Sequence, residues 1–145
     1  MKIIMQRVAN ASVYIDGQPI SQISQGLLIL FGAEKQDNLD KVNYLADKAL
    51  TLRIFKDDKG KMNFSCLNIS GEILIVSQFT LTGDCNKGRR PSFDNSAQPK
   101  EAEFFYRQFV KKVSESGLTV KEGKFGANMQ VELVNDGPVT FFLNR

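Results

Sequence analysis

The chain has 145 residues, 42% of them hydrophobic, which suits one globular domain spanning residues 1–145. Its 19 lysines and arginines against 16 acidic residues give a net charge of +3, which permits a polyanionic partner but is far below a histone-like excess. The absence of histidine excludes Ser-His-Asp and Cys-His catalysis, HExxH metal sites and Cys-His zinc sites.

The cellular compartment is predicted from three features. The longest apolar run, Leu27 to Phe31, is far shorter than the roughly 18 to 20 residues that span a bilayer. Arg7 comes too early for the apolar core of a signal peptide. Cys66 and Cys85 are isolated, without CxxC spacing, as is typical of a reducing compartment. We therefore expect a soluble cytoplasmic protein with no membrane contact, no metal site and no cofactor.

The first half of the chain predicts a hairpin, a buried strand and a helix. The β-branched run "KIIMQRVANASVYI" is followed by the turn pair Asp16-Gly17 and a short strand at 20–23. "GLLILFG" at 26–32 is apolar throughout and is typical of a strand covered on both faces. Asp37 or Asn38 can then cap a helix. Its apolar positions recur at helical spacing: Val42, Leu45, Ala46, Ala49 and Leu50.

The second half predicts another central strand, a long loop, a helix and three more strands. "GEILIVSQFTL" at 71–81 is the strand, and the polar, Gly- and Pro-containing segment 82–98 is the loop. The helix begins at Pro99 and ends by Gly117. Its apolar stripe is Ala102, Phe105, Tyr106, Phe109, Val110 and Val113. The final strands are expected around 118–121, 126–134 and 138–143. The fold class is a strand-rich α/β domain of mixed sheets, with two helices packed on one side in α/β/β layers.

Polar residues appear where the apolar strand at 71–81 gives way to "SQFTL", a place where α/β folds present ligand-contacting groups. Ser77 and Thr80 are also simply explained as hydroxyls satisfied by nearby backbone. As nucleophiles they need an activating base, and without histidine only a lysine remains. No SxxK pattern begins at Ser77, so the sequence argues against a covalent acyl-enzyme.

Cations elsewhere in the chain are open to two interpretations. Lys87, Arg89 and Arg90 lie beside Phe93 in the long loop, a mixture that suits nucleic acid but also an ordinary solvated loop. Arg7 lies within an apolar strand on the face of Ile3 and Met5, where a charge needs a partner or a function.

Near the C-terminus "NDGPVT" at 135–140 separates two strand-like runs. Asn-Asp-Gly is ordinary turn chemistry, which makes a plain loop the simplest interpretation. Pro138 is stranger, because proline lacks an N–H and fits poorly in the middle of a sheet.

The motifs together resemble the D-aminoacyl-tRNA deacylases, also called D-tyrosyl-tRNA deacylases. The resemblance runs along the whole chain and shows no departure at the motif positions. It is carried by "QRV..ASV" at 6–13, "GLLILFG" at 26–32, "RIF.D..GKMN" at 53–63, "VSQFTL" at 76–81, "G.RPSF" at 88–93 and "FGA.MQV.L.NDGPVT" at 125–140.

The resemblance implies a cytoplasmic homodimer that hydrolyses the ester between a D-amino acid and the tRNA 3′ end. It implies a cis Gly137-Pro138 pair that enters the partner's active site and excludes L-aminoacyl groups, while glycyl groups are poorly excluded. Ser77, Gln78, Phe79 and Thr80 then form the catalytic pocket, with Met129 nearby and Arg7 bracing the Gly-Pro loop.

In one family interpretation the terminal 2′-hydroxyl of the tRNA assists attack by water, and in another Thr80 is the nucleophile. We favour the first, because Thr80 has no evident base. Two other functions stay open: a non-catalytic RNA-binding module, and a hydrolase of small D-aminoacyl esters that needs no RNA.

Overall fold

The computed structural model describes residues 1–145 and opens with the predicted hairpin. Strands β1 (Lys2–Ile15) and β2 (Gln18–Ile23) are antiparallel and are joined by Asp16 and Gly17. These two residues have φ of 50° and 76°, as a two-residue hairpin turn requires. The Asp-Gly turn prediction is confirmed.

The main sheet has six strands and is mixed. Strand β3 (Gly26–Gly32) pairs antiparallel with β1, and β6 (Glu72–Ser77) pairs parallel with β3. Strand β7 (Val120–Glu122) extends the sheet next to β6, and β8 (Gln130–Asn144) pairs antiparallel with β1 along nearly its whole length. A separate two-stranded sheet consists of β4 (Phe55–Lys56) and β5 (Met62–Phe64).

Both predicted helices are present. Helix α1 (Leu39–Thr51) is capped by Asn38, whose side-chain oxygen accepts a hydrogen bond from the Lys41 amide at 3.0 Å. Helix α2 (Pro99–Ser114) begins at its proline, where a missing N–H costs nothing. Each helix buries the predicted apolar stripe, although Ala102 and Val110 are only half-buried. Neither helix is long and apolar enough to cross a membrane.

Alternation along the central strands produces the predicted α/β/β layers. One face of β3 and β6 packs against the helices in the larger core, through Leu27, Ile29, Phe31, Ile73 and Ile75. The opposite face packs against the outer half of β1 in a second core. That core contains Val8, Ala11, Val13, Ile23, Leu28, Leu74 and Val76.

Two predicted strand boundaries are wrong. The central strand ends at Ser77 rather than at 81, and Phe79–Thr82 form one turn of 3-10 helix. This turn forms because the buried Thr82 hydroxyl donates to the Phe79 carbonyl at 2.7 Å, a local bond that competes with strand pairing. The segments predicted at 126–134 and 138–143 are parts of one strand, β8, with an irregularity between them.

Candidate active site

A cavity with a volume of about 540 Å³ lies at the carboxyl ends of the parallel strands β3 and β6. This is the edge where open α/β sheets bind ligands. Helix α2 and the segment before β8 close its sides. The lining comprises Phe31, Gly32, Ala33, Ser77, Gln78, Phe79, Ser96, Ala97, Pro99, Ala102, Phe125, Gly126, Ala127, Asn128 and Met129.

No ionisable side chain lines this cavity. Its polar side chains are the hydroxyls of Ser77 and Ser96 and the amides of Gln78 and Asn128, and the rest of the lining is apolar or glycine. Such groups orient a substrate and stabilise a developing oxyanion through hydrogen bonds. None of them has a pKa suited to removing a proton from water near pH 7.

The turn after Ser77 is fixed by hydrogen bonds on both sides. The backbone N–H of Gln78 donates to the Phe31 carbonyl at 2.7 Å, which joins the end of β6 to the end of β3. The Gln78 side-chain amide donates to the Thr80 hydroxyl. The Thr82 hydroxyl also bonds the Ser96 hydroxyl across the following loop. The strand-end residues are therefore held in one arrangement before a ligand binds.

An aromatic pair connects this turn to the loop. The ring centroids of Phe79 and Phe93 are 5.0 Å apart, with an interplanar angle of 51°. Phe79 is 61% exposed, the highest exposed fraction among the large hydrophobic residues of the chain. An exposed aromatic face of this kind is able to stack on a nucleobase.

The long loop presents its three cations at a closed tip. Asp84 and Ser92 exchange two backbone hydrogen bonds, of 2.8 and 2.9 Å, which close the segment between them. Lys87, Arg89 and Arg90 lie in that segment, are exposed and form no ion pair. Their charge is free to meet an external anion.

Gly137 and Pro138 lie on an excursion from the sheet. On β1 one residue separates the paired positions Gln6 and Val8, whereas on β8 four residues, 136–139, separate their partners Thr140 and Asn135. The surplus residues leave the ladder, so Gly137 and Pro138 are exposed. The peptide bond between them is cis.

Arg7 is buried beneath this excursion and has several partners. Its side chain is 2% exposed, and its Nε donates to the Asp136 carbonyl at 2.8 Å and lies 3.1 Å from the Asp136 carboxylate. Its Nη1 donates to the Ile54 carbonyl. The alternation that placed Arg7 on the face of Ile3 and Met5 is confirmed, since all three are buried.

The strongly shifted ionisable groups lie away from the cavity lining. Burial raises the pKa of the Cys66 thiol to about 12. Burial is also the main reason why the pKa of Tyr106 is raised, and its hydroxyl donates to the Ile75 carbonyl at 2.9 Å. Cys66 and Cys85 are both free thiols. No group of three or more Cys, Asp or Glu side chains is arranged to hold a metal ion.

The structure brings together some of the sequence-predicted site residues and separates others. Ser77, Gln78, Phe79 and Met129 line one cavity, and Thr80 follows on the same turn. Arg7, Gly137 and Pro138 do not line that cavity, and neither do Lys87, Arg89 and Arg90.

Several lining residues were not predicted, including Phe31, Ser96 and Asn128. The position of Phe31 could have been predicted from the two central strands. The carboxyl ends of neighbouring parallel strands lie at the same edge of a sheet, so "GLLILFG" ends beside Ser77.

Comparison with known proteins agrees along the whole chain. Residues 4–144 match the family profile described as D-Tyr-tRNA(Tyr) deacylase. The D-aminoacyl-tRNA deacylase of Thermosipho africanus is 54% identical over 144 residues, which cover 99% of this chain and 97% of that protein. The D-aminoacyl-tRNA deacylase of Clostridioides difficile is 51% identical with the same coverage.

Solved structures show the same fold. The c-Myc DNA Unwinding Element Binding Protein has a TM-score of 0.94 and 40% identity, covering 100% of this chain and 99% of that one. A probable eukaryotic D-amino acid tRNA deacylase has a TM-score of 0.83 at 16% identity, covering 98% and 97% of the two chains, which shows similarity of fold alone.

Proposed function

Since this chain belongs to the D-Tyr-tRNA(Tyr) deacylase family, and is thus a hydrolase of D-aminoacyl-tRNA, we propose how its cavity carries out the reaction. The strand-end cavity receives the aminoacylated 3′ end of the tRNA. Its volume of about 540 Å³ is within the range of about 300 to 1,000 Å³ that is usual for small-ligand sites.

One observation carries the mechanism: the cavity is lined by neutral groups only. The side-chain and backbone donors of Ser77, Gln78, Phe79 and Thr80 orient the ester and stabilise the oxyanion of the tetrahedral intermediate. The protein supplies no base there, so the 2′-hydroxyl of the terminal ribose takes the proton of the attacking water and gives its own to the departing 3′ oxygen, and the amino acid leaves as the free acid.

A covalent role for Thr80 is disfavoured by its hydrogen bond. The Thr80 hydroxyl accepts from the Gln78 amide, a neutral donor that cannot take up the hydroxyl proton. An activated nucleophile needs an adjacent base. Thr80 and Gln78 therefore act as a pair that orients the substrate.

The chirality filter comes from a second copy of the chain. Gly137 and Pro138 are exposed and lie outside the lining of their own cavity, so they reach an active site only in a partner. Strand β8 pairs only with β1, which leaves its other edge free, and β8 exposes the apolar side chains of Val134 and Phe142. Free strand edges and exposed apolar residues favour association.

In such a homodimer each active site is shared between two subunits. The backbone of Gly137 and Pro138 forms a wall beside the Cα of the aminoacyl group. An L side chain meets this wall and a D side chain points away, so selectivity arises from exclusion of the wrong partner. A glycyl group has no side chain to exclude and is hydrolysed too.

The tRNA itself is bound partly by Lys87, Arg89 and Arg90, whose charges have no partner within the chain. Phosphate contacts position a nucleic acid without reading its sequence. A protein that acts on aminoacyl-tRNA in this way works in the cytoplasm, where translation takes place.

The test is one deacylation time course with D-Tyr-tRNA, L-Tyr-tRNA, Gly-tRNA and D-Tyr methyl ester. We expect hydrolysis of the D-Tyr and glycyl esters of tRNA, and little hydrolysis of L-Tyr-tRNA. Equal hydrolysis of both enantiomers contradicts the filter. Efficient hydrolysis of the methyl ester, unaffected by uncharged tRNA, contradicts RNA assistance. Binding of tRNA without amino-acid release contradicts the enzyme itself.

A further inference from the structure

The excursion that carries Gly137 and Pro138 is closed at its base by a single side chain. The Asn135 Oδ1 accepts a hydrogen bond from the Val139 amide at 2.6 Å. The Asn135 Nδ2 donates to the Thr140 hydroxyl at 3.0 Å and to the Val139 carbonyl at 3.3 Å. One amide thus spans the excursion from the residue before it to the residues after it.

Both flanks of this closure are anchored in the sheet. Val139 is buried in the larger core, and the Thr140 hydroxyl also accepts from the Gln6 side chain at 3.2 Å. At the start of the excursion, Arg7 of β1 binds Asp136 through its carbonyl and its carboxylate. The ends of the excursion are therefore fixed while Gly137 and Pro138 stay exposed.

We propose that Asn135 is a positioning residue for the chirality filter. It fixes the direction in which Gly137 and Pro138 project and so decides how closely their backbone approaches the substrate Cα. This inference rests on the proposed function of that pair. Asparagine suits the task because its amide accepts and donates at once, and an excursion of four residues leaves backbone groups without ladder partners.

A merely structural role predicts a different result from a positioning role. Loss of stability lowers the amount of active enzyme and reduces hydrolysis of D-Tyr-tRNA and L-Tyr-tRNA by the same factor. A displaced wall changes the ratio of the two rates. A misplacement of about 1 Å at an active site costs about a hundredfold in rate, so the ratio is a sensitive measure of position.

The experiment compares kcat/KM for D-Tyr-tRNA and L-Tyr-tRNA in the wild type and Asn135→Ala. We expect the D-to-L ratio to fall by about tenfold to a hundredfold in Asn135→Ala. Asn135→Asp is expected to recover much of the ratio, because a carboxylate oxygen still accepts from Val139 and the Thr140 hydroxyl can turn to donate to it.

Asn68→Ala is the matched control. The Asn68 Oδ1 accepts from the Ser65 amide at 2.9 Å and from its hydroxyl at 2.8 Å, in a turn that does not line the cavity. This variant loses an equivalent local closure and is expected to keep the wild-type ratio. If Asn135→Ala behaves like Asn68→Ala, the proposal is overturned.

Gly137→Ala separates failure of this inference from failure of the proposed function. An added Cβ lies 2.6 Å from Val139 Cγ2 and 2.7 Å from Val139 N, so the excursion has to shift. A changed ratio in Gly137→Ala with an unchanged ratio in Asn135→Ala overturns the role of Asn135 alone. An unchanged ratio in both variants overturns the filter and this inference with it.

If Asn135→Ala does not fold, the D-to-L ratio is measured in Thr140→Val instead. This variant removes one acceptor of the Asn135 amide and leaves the bond to the Val139 amide intact. A fall in the ratio smaller than that of Gly137→Ala is expected, and an unchanged ratio contradicts the proposal.

Discussion

At the scale of single residues, the surroundings of Thr80 favour one of two mechanisms, attack by water with help from the substrate's 2′-hydroxyl rather than attack by Thr80 itself. Its hydroxyl accepts from Gln78, and no ionisable group lines the adjoining cavity. A nucleophile in that position has nothing to receive its proton. In the proposed mechanism the 2′-hydroxyl of the substrate avoids this difficulty, because it takes the proton of the attacking water while it gives its own proton to the departing 3′ oxygen.

Thr80→Ala is therefore expected to retain activity within about tenfold of the wild type. A tRNA ending in 2′-deoxyadenosine is expected to be hydrolysed at least about a hundredfold more slowly, as is usual when a group that assists proton transfer is removed. Single-turnover rates for both cases provide the comparison. The opposite pattern, an inactive Thr80→Ala enzyme that hydrolyses the deoxy substrate normally, restores Thr80 as nucleophile.

Cys66 provides a test of the core. Its thiol is buried and its folded-state pKa is about 12, against 9.0 for the unperturbed group. The unfolded chain thus loses this proton at lower pH than the folded chain does. Stability from the neutral thiol is fully present below pH 9.0 and is lost as the pH rises toward 12.

The free energy of unfolding of the wild type is expected to fall more steeply above about pH 9 than that of Cys66→Ala. The extra slope is at most about 1.4 kcal/mol per pH unit for one proton. Denaturant titrations from about pH 8 to 11 measure it, and Tyr106 titrates equally in both proteins, so their difference isolates Cys66. Parallel curves contradict the buried neutral thiol.

Individual residues also show which features of the structure cannot be predicted from the sequence. The burial of Arg7 follows from strand alternation, but its partner Asp136 is 129 positions away and is brought close by the β1–β8 register. The end of β6 was misplaced because the apolar pattern does not reveal the turn that the Thr82 hydroxyl closes on the Phe79 carbonyl, or the Ser96 hydroxyl that bonds Thr82 once the loop has folded. Local pattern predicts which face a residue occupies, whereas tertiary contacts decide its partners.

At the scale of elements, the loop 83–98 is tied to the cavity at its base and free at its tip. Backbone bonds join Lys35 to Asn95 at 2.9 Å and Ala97 to Ala33 at 3.1 Å. The predicted helices, the hairpin and the central strands follow from periodicity and turn residues. The docking of this loop has no periodic signal, so the sequence predicts that it exists but not where it lies.

Replacing Lys87, Arg89 and Arg90 with alanine is expected to raise KM for D-Tyr-tRNA and leave kcat nearly unchanged. The slope of log KM against log salt concentration should flatten by about 0.7 to 0.9 for each phosphate that the triple variant no longer binds. Steady-state kinetics at several salt concentrations measure this change.

The matched control replaces Lys56, Lys59 and Lys61, three exposed lysines at the β4–β5 turn, which does not line the cavity. The charge change is identical, so a general electrostatic effect appears in both variants. Equal salt dependence in the two triple variants contradicts a specific role of the loop.

At the scale of the whole molecule, the proposed catalytic cavity and the proposed selectivity element lie in separate parts of one chain. Strand β8 carries Gly137 and Pro138 on the excursion, and its unpaired edge is available to another subunit. A two-fold interface is self-complementary, so a dimer formed through this region gives each cavity the same partner element. The arrangement requires that neither subunit is selective alone.

Mixing two defective proteins, one with reduced selectivity and one with a damaged cavity, tests this requirement. Gly137→Ala keeps the strand-end cavity and distorts the excursion, while the double variant Gln78→Ala with Phe79→Ala keeps the excursion and damages the cavity. After subunit exchange at equal amounts, about half of the dimers are heterodimers, and each contains one site built from two sound halves.

D-selective deacylation is expected to recover to about a quarter of the wild-type level, since half of the dimers have one working site in two. Exchange is verified independently with subunits that carry different fluorescent labels, and each variant alone serves as the baseline. If exchanged heterodimers show no recovery of D-selective hydrolysis while a wild-type monomer hydrolyses D-Tyr-tRNA selectively by itself, the excursion does not act across an interface. Recovery in the mixture assigns cavity and filter to opposite subunits, because no single chain in it has both parts intact.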